Sequence, residues 1–241
     1  MVYEGRTYRN FIKKDHLESF QVTVKETDLW ICATRLLANE AKEVVLTVRG
    51  YLESYIEMYP QFLKTLVPWR VQGPAPMIVK EMAEAGILAG VGPMAAVAGA
   101  VAAAVGRELL TYSDEVIVEN GGDIFIKLNH PFTCAVSAGK SPLNMRFGIR
   151  LDATERPIGV CTSSATVGHS LSFGKADAVC VVSPSCTVAD AAATAICNQV
   201  GTEKEITQAI NAGKLIDGVS AIVVVINDKV GFWGDTELVP L

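Results

Sequence analysis

Histidine is scarce in this chain, with three in 241 residues. None belongs to an H-E-x-x-H pattern, which excludes a helix-borne zinc-protease site, and no serine sits in a G-x-S-x-G elbow. The six cysteines (Cys32, Cys134, Cys161, Cys180, Cys186 and Cys197) contain no C-x-x-C and lie mostly in apolar runs. That pattern reads as buried thiols rather than a disulfide framework or a spaced zinc site. The opening MVYEGRTYRNFIKK lacks the apolar core of a signal peptide, so the expected location is cytoplasmic. Charge is also sparse. Only 20% of residues are charged, the net charge is −5 and no basic stripe interleaves with aromatics, so nucleic acid is not an expected partner.

Apolar residues are plentiful instead, at 50% of the chain, enough for a full core and an ordered globular protein. One segment, GILAGVGPMAAVAGAVAAAV at 86–105, carries no charge and is long enough to span a bilayer. Ala and Gly dominate it, and Gly90, Gly92 and Pro93 interrupt its start, so a buried helix beginning near Pro93 is expected rather than a membrane span.

The chain alternates between two periods. TYRNFI, FQVTVK and DLWICA read as strands, with Phe20, Val22 and Val24 on one face. From Asn39 the apolar residues Ala41, Val44, Val45, Val48, Leu52, Tyr55 and Tyr59 fall three and four apart, one helix face that Pro60 ends. A short helix, a Pro-rich connector, a helix near Met77–Ala85 and the Ala-rich helix follow. EVIVE, the Asn120-Gly121-Gly122-Asp123 turn and DIFIKL give a hairpin. FTCAVSAG and MRFGIRL are expected to continue its sheet, followed by VCTSS and AVCVV. Helices at about 188–200 and 203–212 precede the strands SAIVVVIN and KVGFWG. Strands, helices and strands thus occur twice, which predicts an α+β fold with helices on a largely antiparallel sheet. The whole chain, 1–241, is expected to be one body with pseudo-duplicated halves at about 1–140 and 141–241.

Three clusters can carry chemistry. Asp190 and Thr194 lie four apart at a helix start and share a face, where a carboxylate and a hydroxyl suit a hard cation such as Mg²⁺. Thr187-x-x-Asp190 equally fits a relaxed capping box. The Asn120-Gly121-Gly122-Asp123 turn can bring free amides against a phosphate or a flavin ring, or be an ordinary hairpin turn. The third cluster is the polar loop after VCTSS, with Thr162, Ser163, Ser164, Gly168, His169, Ser170, Ser172 and Lys175. Its hydroxyls and amides suit an anion, with His169 as base or phosphate donor and Lys175 as a cation. It is not a P-loop: Gly168 and Gly174 are one residue too far apart, and Ala176 follows Lys175.

Together VGPMAAVAGAVA, VENGGDIF, TSSATVGHSLSFGKADA and ADAAATA resemble the ApbE-like superfamily of Mg²⁺-dependent FAD:protein FMN transferases, and more closely a compact, poorly characterised ApbE-like family. The resemblance spans about Tyr8 to Trp233. It implies a tandem T-fold-like duplication, FAD or FMN as cofactor, and Mg²⁺ held by Asp190 and Thr194. A backbone carbonyl near Gly92 or Pro93 would complete the metal shell, with Gly121 and Gly122 against the flavin. The chain departs from the transferases in lacking their His-Ile-x-Asp-Pro-x-x-Gly-x-Pro loop and the lipoprotein signal, and in having Val101 where they carry an Asp. The resemblance therefore implies a flavin-nucleotide protein, as a Mg²⁺-assisted transferase or hydrolase. The alternatives are a flavin or sulfur-handling accessory of homocysteine synthesis in anaerobes, with Cys161 as its thiol, and a structural homo-oligomer with a vestigial pocket. The expected ligand is a small nucleotide, with no membrane partner.

Overall fold

Strand alternation and two-residue turns set the frame. The structure, a computed structural model, describes residues 16–153, 155–165 and 173–241, so the expected strand TYRNFI lies outside the described residues. Strands β1 (Glu18–Val24) and β2 (Thr27–Ala33) form a hairpin turning at Lys25, whose φ is 52°. Strands β3 (Val116–Asn120) and β4 (Asp123–Lys127) turn at Gly121 and Gly122, with φ of 69° and 106°. Two successive positive φ values are the geometry of the tightest hairpin turn, and glycine adopts them without strain. Strands β9 (Ala221–Ile226) and β10 (Lys229–Gly234) close in another two-residue turn, with Asn227 at φ 54°.

These hairpins join β7 (Ile158–Ser163) and β8 (Ala178–Ser183) in an eight-stranded antiparallel sheet of order β1-β2-β3-β4-β7-β8-β9-β10. Every residue of β8 and β9 is buried, which explains their unbroken apolar runs: both faces of this sheet are covered.

Helices cover one face. These are α1 (Ala38–Met58), α2 (Gln61–Lys64), α3 (Met77–Ala89), α4 (Val97–Leu109), α5 (Cys186–Cys197) and α6 (Ile206–Gly213). Within the large sheet and its helices, the order is strand pair, helices, strand pair, and then the same again. Helix α5 is wedged between β7, β8 and the helices α3 and α4, and all its residues except Val188 are buried. Its small side chains follow from that position, since larger ones would force the layers apart. Segment 86–105 is not one helix: α3 ends at Gly90, which has φ 73°, and a 3₁₀ turn at Pro93–Ala96 leads into α4. The two parts are bent by 104°, and among the described residues no single helix is long and apolar enough to cross a membrane.

The other face corrects the sequence reading. Strands β5 (Phe132–Ala135) and β6 (Phe147–Leu151) do not extend the large sheet but pair with β11 (Glu237–Pro240) in a three-stranded sheet of their own. The physical reason is the second apolar face of the large sheet. Ile117, Ile124, Val160, Val182 and Val223 need cover there, and Phe132, Cys134, Ile149 and Leu151 supply it as a second core. Edge pairing would have left both surfaces wet.

Candidate functional site

The site lies where the β3–β4 turn, the end of β7 and the starts of α4 and α5 meet on the helix-covered face. Asp123 opens β4 and stands opposite Cys161 on β7. The two side chains therefore share a face, which sets the Cys161 thiol beside the Asp123 carboxyl. Ser163, two residues on, points the same way. Thr162 points the other way and meets the Cys180 thiol, so it contributes its main-chain N–H to Asp123 rather than its hydroxyl.

Asp190 approaches from α5. Its role as a cap differs from the Thr187-x-x-Asp190 reading, because Ser185 caps α5 by accepting from the Val188 N–H. Asp190 instead accepts from Gly99 N–H at 2.8 Å and from the Ala98 amide, both in the first turn of α4. It caps a helix 91 residues earlier in the chain, satisfying amides that have no partner within that helix. Gly99 permits the approach. A Cβ there would lie 2.5 Å from the Cys186 carbonyl oxygen and 2.8 Å from Asp190 Cβ. The Asn120 side chain donates to the Ala98 carbonyl at 3.0 Å, tying the hairpin turn to the same helix start.

Two carboxyl groups thus face each other out of water. Burial pushes the Asp190 carboxyl up to about 7, against the opposing pull of the Gly99 and Ala98 amides. Burial also drives Asp123 well above the ordinary carboxylate range, and the nearby Asp190 and Glu119 charges add to it. Asp123 Oδ1 and Ser163 Oγ are both buried without a hydrogen-bond partner among the described residues. A buried carboxylate oxygen left bare is costly, and a cation is one way to satisfy it. Oxygen donors from Asp123, Asp190 and Thr194, which is itself buried one turn beyond Asp190, suit a hard divalent ion of the Mg²⁺ class.

The glycine turn sits at the rim, with Gly121 exposed and Gly122 and Asn120 half-buried. Gly122 is placed against β7, 3.6 Å from the Thr162 carbonyl oxygen for a Cβ built on it, and its N–H donates to Glu119 Oε1 at 2.8 Å. Ser164 is half-buried beyond β7. Gly168, His169, Ser170 and Ser172 lie outside the described residues, while Lys175 is exposed, its N–H donating to the Val200 carbonyl at 2.6 Å. The Gly92 carbonyl, expected near the metal, accepts from Ala95 N–H at 3.1 Å, and Gly92 packs against Thr65. Val101 is buried in the core.

Sequence reasoning missed Glu119, Gly99 and Cys186. Glu119 is fully buried at the end of an apolar strand, a signal that was available three residues before Gly122. Cys186 lies 3.6 Å from Cys161, sulfur to sulfur, and its carbonyl accepts from that thiol, a pairing no spacing announces. A separate cleft of about 570 Å³ opens between the two sheets near Arg150, Asp152, Ser183, Asp235 and Glu237. Its charged lining is three carboxylates to one guanidinium, a poor match for a phosphate, and it lies beyond the opposite end of β7 from Ser163.

A family model described as AbpE bacteria matches residues 9–226. A UPF0280 protein of Methanocaldococcus jannaschii is 42% identical over 220 residues, which cover 89% of each chain. A UPF0280 protein of Methanosarcina acetivorans is 39% identical over 220 residues, 90% of this chain and 86% of the relative. The apo flavinyl transferase ApbE of Pseudomonas stutzeri has the same fold, with a TM-score of 0.56 over 92% of this chain and 95% of its own at 14% identity. The flavin transferase ApbE of Vibrio cholerae gives 0.57 over 90% and 97% at 13% identity.

Proposed function

The chain belongs to the family described as AbpE bacteria, a poorly characterised ApbE-like group, and on that premise we propose that it binds a flavin nucleotide, FAD or FMN, with Mg²⁺. The observation that carries this reading is the pair of buried carboxyls, Asp123 and Asp190, with Asp123 Oδ1 unpartnered beside a glycine turn. Asp190, Thr194 and Asp123 would hold the ion. When bound, Mg²⁺ neutralises diphosphate charge and supports its cleavage by transfer or hydrolysis. The chain's own residues do the rest. Asn120 and Asp190 fix the start of α4, and Gly121 and Gly122 put no side chain between the turn and a planar ring, although the Gly122 N–H is already taken by Glu119. Ser163 offers a hydroxyl on the same face.

The fold of the flavin transferases supports the flavin, and the α+β element order supports one body of two pseudo-duplicated T-fold-like halves. Six free, buried cysteines favour a reducing compartment such as the cytoplasm. Burial raises the Cys161 thiol, which favours the nucleotide reading over the sulfur-handling alternative.

Calorimetric titration of FAD in Mg²⁺ and in EDTA tests the proposal. Binding that weakens at least tenfold in EDTA, about 1.4 kcal/mol, is the expected result. Equal affinity in both removes the metal, and no FAD or FMN binding in either ends the flavin reading.

A further inference from the structure

A second constellation stands at the opposite end of β3. His16 precedes β1, Glu115 precedes β3 and His130 follows β4, and the sheet brings these three strand ends together. His16 Nε2 lies 2.7 Å from Glu115 Oε2, and His130 Nδ1 lies 2.9 Å from Glu115 Oε1. One ligand atom from each side chain fits within 4.8 Å of the others. Glu115 to Asn120 is the length of β3, about 17 Å at 3.4 Å per residue, so this cluster is separate from the proposed flavin site.

We propose that His16, Glu115 and His130 form a binding site for a zinc-class divalent cation. Four observations carry it. Glu115 is buried, and its position is set from outside the cluster. Asn129 N–H donates to its Oε1 at 2.6 Å, and the Ser113 hydroxyl donates to its main-chain carbonyl at 2.5 Å. Ser113 is itself held at 2.9 Å from the Thr34 hydroxyl, so the main chain that carries Glu115 is fixed, while Asn129 N–H orients the carboxylate itself. The two imidazoles are edge-to-face with centroids 4.8 Å apart, converging on one carboxylate rather than stacking away from it. The His130 nitrogen that faces Glu115 is Nδ1, which is therefore its ligand atom, while Nε2 is buried on the far side of the ring with no hydrogen-bond partner among the described residues.

The donor set selects the ion. Two imidazoles and a carboxylate suit Zn²⁺ and its borderline neighbours, whereas Mg²⁺ prefers oxygen and water. Ligand atoms around a tetrahedral ion with bonds of about 2.0–2.1 Å stand roughly 3.3 Å apart. The His–Glu spacings of 2.7 and 2.9 Å therefore need to open by about half an ångström, and the widest separation, within 4.8 Å, needs to close by up to about 1.5 Å. His16 is 51% exposed and is free to make that adjustment. Its exposure also leaves room for a water as fourth ligand, the arrangement of a three-ligand site rather than a closed structural one.

The test is a Zn²⁺ titration of the full chain against a chromogenic chelator, in excess Mg²⁺ so that oxygen-only sites are occupied. One equivalent is expected to bind, with affinity reduced at least tenfold in His16→Ala and in Glu115→Gln and unchanged in Asp228→Asn, an exposed carboxylate in the β9–β10 turn. His16→Ala changes an exposed side chain, and circular dichroism checks that it folds. Co²⁺ substitution supplies the second readout, with a visible spectrum of nitrogen and oxygen ligation expected. Equal Zn²⁺ affinity in wild type and His16→Ala, or an intense thiolate charge-transfer band with Co²⁺, would overturn the site.

Discussion

Replacing Asp190 by Asn should stabilise the metal-free protein, and by an amount that grows with pH. The unfolded chain releases the Asp190 proton near pH 3.9, whereas in the folded protein burial holds it until about 7. Between those values the folded state carries a proton that the unfolded state has lost. Wild-type stability therefore falls as pH rises, by about 1.4 kcal/mol per unit, and levels off above pH 7. The accumulated penalty is about 4 kcal/mol. Asn does not titrate, and its carbonyl oxygen still accepts from Gly99 N–H, so the α4 cap survives. The variant should thus exceed wild type by less than about 1 kcal/mol at pH 4.5 and by about 4 kcal/mol at pH 8. Losing the Asp190 charge also eases ionisation of Asp123, which acts in the same direction. Urea unfolding from pH 4.5 to 8 in EDTA reads the difference. Mg²⁺ should close part of the gap at pH 8 by stabilising only the wild type. A difference constant across that pH range would refute the reasoning, because it would mean that Asp190 titrates alike in both states.

Three other outcomes follow from the same geometry. Gly99→Ala places a methyl against the Cys186 carbonyl and Asp190, so stability should fall by about 1–3 kcal/mol and Mg²⁺-dependent FAD affinity should fall with it. Urea midpoints and calorimetry measure the two, and an unchanged midpoint would show that α4 and α5 are not in close contact there. All six cysteines are buried, with burial raising the thiol of Cys161 well above its usual range and that of Cys134 out of reach of neutral pH, so a thiol-specific chromogenic disulfide should react only after denaturation. Fast reaction of the native protein at pH 7.5 would contradict this. Ala192→Leu in the centre of α5 should cost about 1–3 kcal/mol by overpacking, read as a drop in urea midpoint. A midpoint equal to wild type would show slack between α5 and its neighbours.

Much of the fold is legible in local pattern. The spacing from Ala41 to Tyr55 identifies α1, and the Gly-Gly pair places the β3–β4 turn to the residue. Partner choice is not legible in the same way. β5 and β6 carry ordinary strand patterns, and only the apolar second face of the large sheet decides that they cover it instead of widening it. Strand β11 is four residues containing Pro240, too short and too polar at Glu237 to announce itself. At the site, the grouping of Asp190 with the Gly-Gly-Asp turn follows from family motifs, but its bond to Gly99 joins residues in separate helices. The His16–Glu115–His130 cluster is equally silent in one dimension, because no motif spans three strand ends.

The three two-residue turns described above also fix an order of assembly. A hairpin closes a minimal loop, so β1–β2, β3–β4 and β9–β10 can each form on the microsecond scale from local chain alone. Pairing β2 with β3 must wait for the whole helical stretch of residues 34–115 to be looped out, which costs about 3 kcal/mol more in closure entropy than a two-residue turn. The Gly99–Asp190 bond spans 91 residues and carries a closure cost of about the same size. The pocket is therefore a late product of folding, and amide protons in the first turn of α4 should gain protection after those of the hairpins in pulse-labelled hydrogen exchange.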